Sequence, residues 1–388
     1  MGNFCVILDC GDKRHESGRG QPHSKTLRLI EALWTARQGP GVRLSSAAFL
    51  LIAKLCKPAF ALIAVLVLTS GCRSGAHKKT NAETFEPPAS YVRATNGESN
   101  LLELQIAARR FVPSRGKGPA IWLTGVSHIG STNYFAALQR HLNAQTLVLF
   151  EGVGDHSHDF KNHSAEIAAT NDPAKTGGGL QSSLANSLGL VFQLDTIDYD
   201  RPNFRHSDLS IREIRELLAE PRGSGGGDAA GDFDNLLSMM QGDSFMNVVM
   251  QFGLGILASS PKLQAMSKVT LIELITEMGG DPSRLGAISP ELKQLLEVLI
   301  ARRNQQVVDD LKKALKEVGR KGSVSVFYGT GHMPEMETRL RKELHYRPVE
   351  DVWFSAISVN LAAAGIFPSE LEFIRGFIRS QMKQLSGP

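Results

Sequence analysis

Beyond Cys72 the chain has no cysteine at all: Cys5, Cys10, Cys56 and Cys72 are the only four in 388 residues. A body without thiols is no disulfide scaffold, and it offers neither a cysteine nucleophile nor a thiolate ligand. Excess charge is missing from the same region. Residues 1–71 carry nine basic and four acidic side chains, which leaves 34 basic and 35 acidic from residue 72 onward, so the +4 of the whole chain becomes −1. A near-neutral body has no basic footprint for nucleic acid. It also lacks a second apolar run of about 18 residues, which disfavours a membrane-embedded transporter. A hydrophobic content of 42% excludes a disordered chain. Residues 72–388 are enough for one large or two modest globular domains.

The basic excess at the front has a reason. Arg43, Lys54 and Lys57 precede an unbroken apolar run over residues 59–68, and Thr69, Ser70 and Gly71 then lead into Cys72. A charged region, an apolar stretch of about 10 residues and small residues in that order read as an export signal. The run is short for a spanning helix, which needs about 20 apolar residues. Its end resembles a bacterial lipoprotein signal, in which a cysteine behind small residues receives the lipid; Thr69 stands where that pattern prefers Leu. The resemblance implies lipid attachment at Cys72 and a protein at the periplasmic face of the cell membrane or outer membrane. The alternatives are another export signal or anchor, or a buried core helix. Signals start within about 15–30 residues of the N-terminus, so the expectation is a true start near Val42, with residues 1–41 an extension without a folded role.

Residues 72–100 are polar and contain Pro87-Pro88, the composition of a tether. The apolar run over 120–124 and the run Leu147 to Phe150 read as buried strands, with helical spacing over 134–142 between them. Residues 207–220 form a helix that Ser210 and Glu213 open as a capping box. Glycine-rich 220–234 is a spacer, and 234–315 is helical by periodicity, with Met239, Met240, Met246 and Met250 as core or groove filler. Then a pattern returns. Strand, Gly125-x-x-His128, helix, strand in the first half is matched by strand 323–328, Gly329-x-x-His332, helix 335–344 and strand 352–357 in the second. Two related βαβ halves are expected, an α/β (α+β) fold with a mixed sheet flanked by helices. The domain spans about 101–358, with a helical insertion at about 207–318 and a helical tail over 359–388.

In α/β sheets, ligands bind beyond the carboxyl ends of the strands. His128, Glu151 and His332 each fall at or just past such an end, and the glycine before each histidine is expected to give a sharp turn. Two imidazoles and a carboxylate are a common set for a divalent metal with open positions. Such an ion lowers the pKa of bound water and polarises a carbonyl, as amide or ester hydrolysis requires. Glu151 is alternatively the general base.

Gly125-Val-Ser-His128, Leu149-Phe150-Glu151 and Tyr328-Gly-Thr-Gly-His332-Met-Pro334 together resemble the TraB/GumN family, which includes the Tiki metalloproteases. The resemblance covers about residues 101–358. It implies the fold shared with erythromycin esterase-like proteins, a catalytic and metal-binding set of His128, Glu151 and His332, and a Mn- or Co-type ion, with Zn as a further possibility. Arg303-Asn304 also resembles a family signature, with Arg303 orienting Glu151 or holding a carboxylate substrate. The glycine-rich insertion and Met-bearing helices depart from the pattern.

Further candidates stand lower. His206 could add a metal ligand or a proton shuttle, and Asp208 could do the same or cap a helix. Arg201 could stabilise an oxyanion or pair with Asp198 or Asp200. His156, His158 and His163 form a histidine-rich loop that reads as solvated, and neither Ser127 nor Ser131 lies in a nucleophile elbow. The leading expectation is an exported, lipid-anchored, metal-dependent hydrolase acting on a peptide or a small ester or amide. The alternative is a non-catalytic lipoprotein that binds a peptide or signal ligand in the Met-lined region.

Overall fold

A computed structural model of the chain describes residues 87–97, 100–152, 180–219, 257–279 and 297–386, with the single positions 231 and 255. All belong to one compact unit, Ala59–Pro388. The export signal, Cys72, the loop histidines His156, His158 and His163, and Met239 to Met250 lie outside the described residues.

A seven-stranded mixed sheet organises the unit. Its backbone is the long strand β2 (Leu101–Pro113). Along one edge β2 pairs antiparallel with β9 (Tyr346–Asn360) over its whole length. Its other edge is shared in succession by β1 (Val92–Asn96) and β3 (Ala120–Val126), both antiparallel. Beyond β3 the sheet turns parallel: β8 (Ser323–Gly329), β5 (Leu147–Phe150) and β7 (Phe204–His206) follow in that order. A two-stranded ladder of β4 (Ile129–Gly130) and β6 (Val191–Phe192) lies apart from it.

Parallel strands covered on both faces read as continuous apolar runs, and β5 is the clearest case. Val148 and Phe150 face one core, Leu147 and Leu149 the other. The first core packs under α1 (Thr132–Asn143), α4 (Pro261–Met278) and α7 (Pro368–Ser386), the second under α5 (Arg303–Glu317) and α6 (Met333–Lys342). Sequence accounts for these helices locally. Ser131 caps α1 by accepting from the Tyr134 amide, and Tyr134, Phe135, Leu138 and Leu142 form its buried stripe. Ser260 and Pro261 open α4, and Gly279 closes it in the left-handed region at φ 65°. The capping box at Ser210 and Glu213 is present at the start of α3 (Ile211–Ala219).

Three features differ from the sequence reading. Val92–Asn96 is a sheet strand rather than tether, because its pairing with β2 satisfies its backbone groups. The two halves share an element order but not a topology. The first half supplies β3 and β5, which flank β8 in parallel, whereas β9 of the second half runs back antiparallel on β2. Ser355, which stands 23 residues after His332 as Glu151 stands after His128, therefore donates to Glu103 on that far side. Finally, Gly125 and Gly329 do not adopt positive φ. What they supply is room: a Cβ on Gly125 would stand 3.2 Å from Ile106 and 3.3 Å from the Ala107 carbonyl.

Candidate active site

The four parallel strands end on one side of the sheet, and each delivers a polar residue there. His128 follows β3, Glu151 follows β5, His332 follows β8 and Asp208 follows β7. This is the carboxyl edge at which open α/β sheets present ligand sites. A fifth residue, Arg303, enters from the first turn of α5, where a π-helical segment (Glu297–Arg302) runs into the helix.

Arg303 is the centre of the cluster and is only 2% exposed. Its Nε and Nη2 form a fork on Asp208, at 2.8 Å to Oδ1 and 2.6 Å to Oδ2. Nη2 also donates to Glu151 Oε1 at 2.7 Å, while Nη1 lies 3.4 Å from the Leu299 carbonyl and 3.5 Å from His332 Nε2. A guanidinium with every arm engaged orients Glu151 and has nothing left for a substrate carboxylate. Burial pushes its pKa down, but Asp208 and Glu151 outweigh that and hold it well above the ordinary arginine value. For Glu151, burial favours the neutral acid; the Arg303 guanidinium opposes it, and the carboxyl is held well below the usual range.

Glu151 Oε2 accepts from the Gly329 amide at 2.6 Å. A Cβ on Gly329 would stand 3.3 Å from that oxygen and 3.3 Å from His128 Nε2, so the missing side chain is what lets both approach. His332 is fully buried, with Nε2 3.5 Å from Glu151 Oε1. Its Nδ1 faces Asn304 Oδ1 at 2.7 Å. The Asn304 amide nitrogen donates to the His332 carbonyl at 3.1 Å and to Glu335 Oε2 at 2.6 Å, two groups that only accept. The amide therefore cannot be turned round: Nδ1 of His332 carries a proton, so in a neutral ring the lone pair is on Nε2, 3.5 Å from both Arg303 Nη1 and Glu151 Oε1.

His206 and Asp208 hold the next residue from both sides. The Gly152 amide donates to Asp208 Oδ2 at 3.0 Å, and His206 Nε2 donates to the Gly152 carbonyl at 2.6 Å. That nitrogen of His206 is thus committed to backbone, and what it does in this structure is anchor the turn after Glu151. Asp208 is no helix cap, since Ser210 takes that place. Arg201 pairs with Asp198 at 2.9 Å on the surface. Ser127 is buried and donates to the Ile129 carbonyl, and Ser131 is the α1 cap.

Sequence reasoning passed over two contributors. Gln193 lies 2.8 Å from His128 Nδ1, and the Tyr328 hydroxyl donates to the Ser207 carbonyl behind Arg303. Gln193 sits in no recognisable motif. Tyr328 was available as the residue before Gly329, whereas Gln193 stands 65 positions from its partner.

The donor chemistry is compatible with a divalent ion. With both histidines neutral, Arg303, Asp208 and Glu151 sum to one negative charge, the Nε2 lone pair of His332 is set by Asn304, and His128 Nε2 and Glu151 Oε2 each lie 3.3 Å from the place a Gly329 Cβ would take. Among the described residues, no group of three His, Asp or Glu side chains already stands as a ligand set. Oε1 of Glu151 is taken by Arg303. The fold and site together define a mixed α/β protein with a His–Glu–Arg–His cluster at the carboxyl edge of its parallel strands. Set against protein-family models, curated proteins and solved structures, the chain matches none.

Proposed function

We propose that this is an exported, lipid-anchored hydrolase of TraB/GumN type that uses a divalent metal to cleave a peptide or a small ester or amide. The observation that carries the reading is the convergence of His128, Glu151, His332 and Arg303 from three parallel strands and a helix. His128 and His332 through Nε2, with the Glu151 carboxylate, would hold the ion. When bound, it would supply a water of lowered pKa and polarise the scissile carbonyl.

The chain's own groups divide the remaining work. Glu151 is held too acidic to be an effective proton acceptor near neutral pH, so its role is to carry negative charge. Arg303 and the Gly329 amide fix the carboxylate so that it cannot swing away. Asp208 balances Arg303, which leaves the cluster one negative charge rather than none. His128 and Glu151 are partly open while His332 is sealed, so substrate approaches from the His128 side.

The test is metal loading of the purified chain with Mn2+, Co2+ and Zn2+, followed by calorimetry on wild type, His128→Ala and His332→Ala. About one ion per wild-type chain, with each variant at least tenfold weaker, is expected. A wild type that takes up none of the three ions defeats the reading.

A further inference from the structure

We propose that Gln193 is a positioning residue that holds His128 in its Nδ1–H form and so leaves the Nε2 lone pair facing the site. This rests on the role given to His128 in the proposed function. Gln193 is 3% exposed and grips His128 twice. Its backbone amide donates to the His128 carbonyl at 2.8 Å, and its Oε1 lies 2.8 Å from His128 Nδ1. Its Nε2 reaches the Tyr199 hydroxyl at 2.7 Å. One short segment, a 3-10 turn over Gln193–Asp195 behind β6, thus sets both the main chain and the ring of a residue in the bend between β3 and β4.

A hydroxyl both donates and accepts, so hydrogen bonding at Tyr199 alone allows the amide either way round. Turned over, its NH2 would face Nδ1 and the proton would move to Nε2. Two observations favour the carbonyl at Nδ1. An Nε2–H would have no hydrogen-bond acceptor among the described residues, so that tautomer gains no partner within the protein while giving up the one at Nδ1. The other histidine is held in the same way by an amide whose orientation is forced: Asn304 Oδ1 at His332 Nδ1, with its nitrogen on two acceptors. Both imidazoles then keep Nε2 as the lone-pair nitrogen, the arrangement that outer hydrogen bonds impose on metal-binding histidines.

The experiment is two-bond 15N–1H correlation of the full chain with 15N-histidine, without added metal, at a pH where the ring is neutral. The His128 signals are identified by their loss in His128→Gln. Wild type and Gln193→Glu, whose carboxylate only accepts, should show His128 protonated at Nδ1. Gln193→Leu should shift His128 to a mixture dominated by Nε2–H. An Nε2–H ring in wild type overturns the proposal, as does an unchanged ring in a folded Gln193→Leu. Should that variant not fold, the wild-type and Gln193→Glu spectra decide. Mn2+ titration adds a second reading, with Gln193→Leu binding about 10–100-fold more weakly. Equal affinity in the two proteins counts against the proposal. A wild type that binds no ion defeats the hydrolase reading while the spectra still decide the role of Gln193.

Discussion

Removing Arg303 should do two separable things, and the second is diagnostic. In Arg303→Met the apolar stem stays and the guanidinium goes. Asp208, with a wholly buried side chain, keeps only the Gly152 and Leu209 amides as donors, at 3.0 and 2.8 Å. Glu151, 12% exposed, keeps the Gly329 amide at 2.6 Å. Breaking a buried pair by removing one partner costs about 3–5 kcal/mol, and here two carboxylates lose the same partner. The two surviving amides on Asp208 argue for the lower part of that range. For a domain of this size that is a fall in Tm of roughly 6–12 °C, at about 2–4 °C per kcal/mol. The pH dependence then reverses. In wild type the folded pKa of Glu151 is depressed, so its contribution is fully present above the unfolded value of about 4.3 and is lost as pH falls below it. In the variant, burial without a cation raises the folded pKa above the unfolded one, so the folded state holds protons longer and this residue's contribution falls as pH rises. Thermal melts of both proteins between pH 4 and 6.5 read it as a gap that widens with pH, because groups common to both, His141 among them, cancel in the difference. A variant within about 1 kcal/mol of wild type, or one whose Tm climbs with pH as wild type does, would refute the placement of Arg303 between two ionised carboxylates.

Other outcomes follow from single contacts. Gly329→Ala puts a methyl 3.3 Å from both Glu151 Oε2 and His128 Nε2, and should weaken Mn2+ binding at least tenfold in calorimetry while moving Tm by only a few degrees. On the far side of the sheet, Arg109 is buried between Glu337 and Asp351 at 2.9 and 2.7 Å, so Arg109→Met should cost about 3–5 kcal/mol in urea unfolding and leave metal binding intact. Burial lowers the His141 pKa to about 4, so its ring should show no NMR titration between pH 5 and 8. Between its folded pKa and the unfolded value of about 6.5 the unfolded chain binds the extra proton, so this residue makes stability rise with pH there.

Much of the scaffold is visible in order of residues because local rules govern it. The run Leu147 to Phe150 shows a buried strand, Ser210 and Glu213 a helix start, and the repeated G-x-x-H the ends of two strands. His128, Glu151 and His332 are found from that repeat, since residues just past parallel strands share an edge. Arg303 is found only through a resemblance, and its burial is invisible because the stretch 301–318 reads as an amphipathic helix, polar and charged on one face. Asp208 looks like a helix cap because a short acid before a helix usually is one. Gln193 offers no local signal whatever.

By itself, then, the sequence determined what the body cannot use and which strand ends carry polar groups. Without a cysteine past Cys72, no thiol can serve there as nucleophile or ligand. Only the tertiary structure decided how those groups share charge. The insertion of β8 between β3 and β5 sets His332 beside Glu151, and α5 drives Arg303 between Glu151 and Asp208. Charge coupling and hydrogen-bond direction act over a few ångströms in space, and Asp208 and Arg303 are 95 residues apart in the chain.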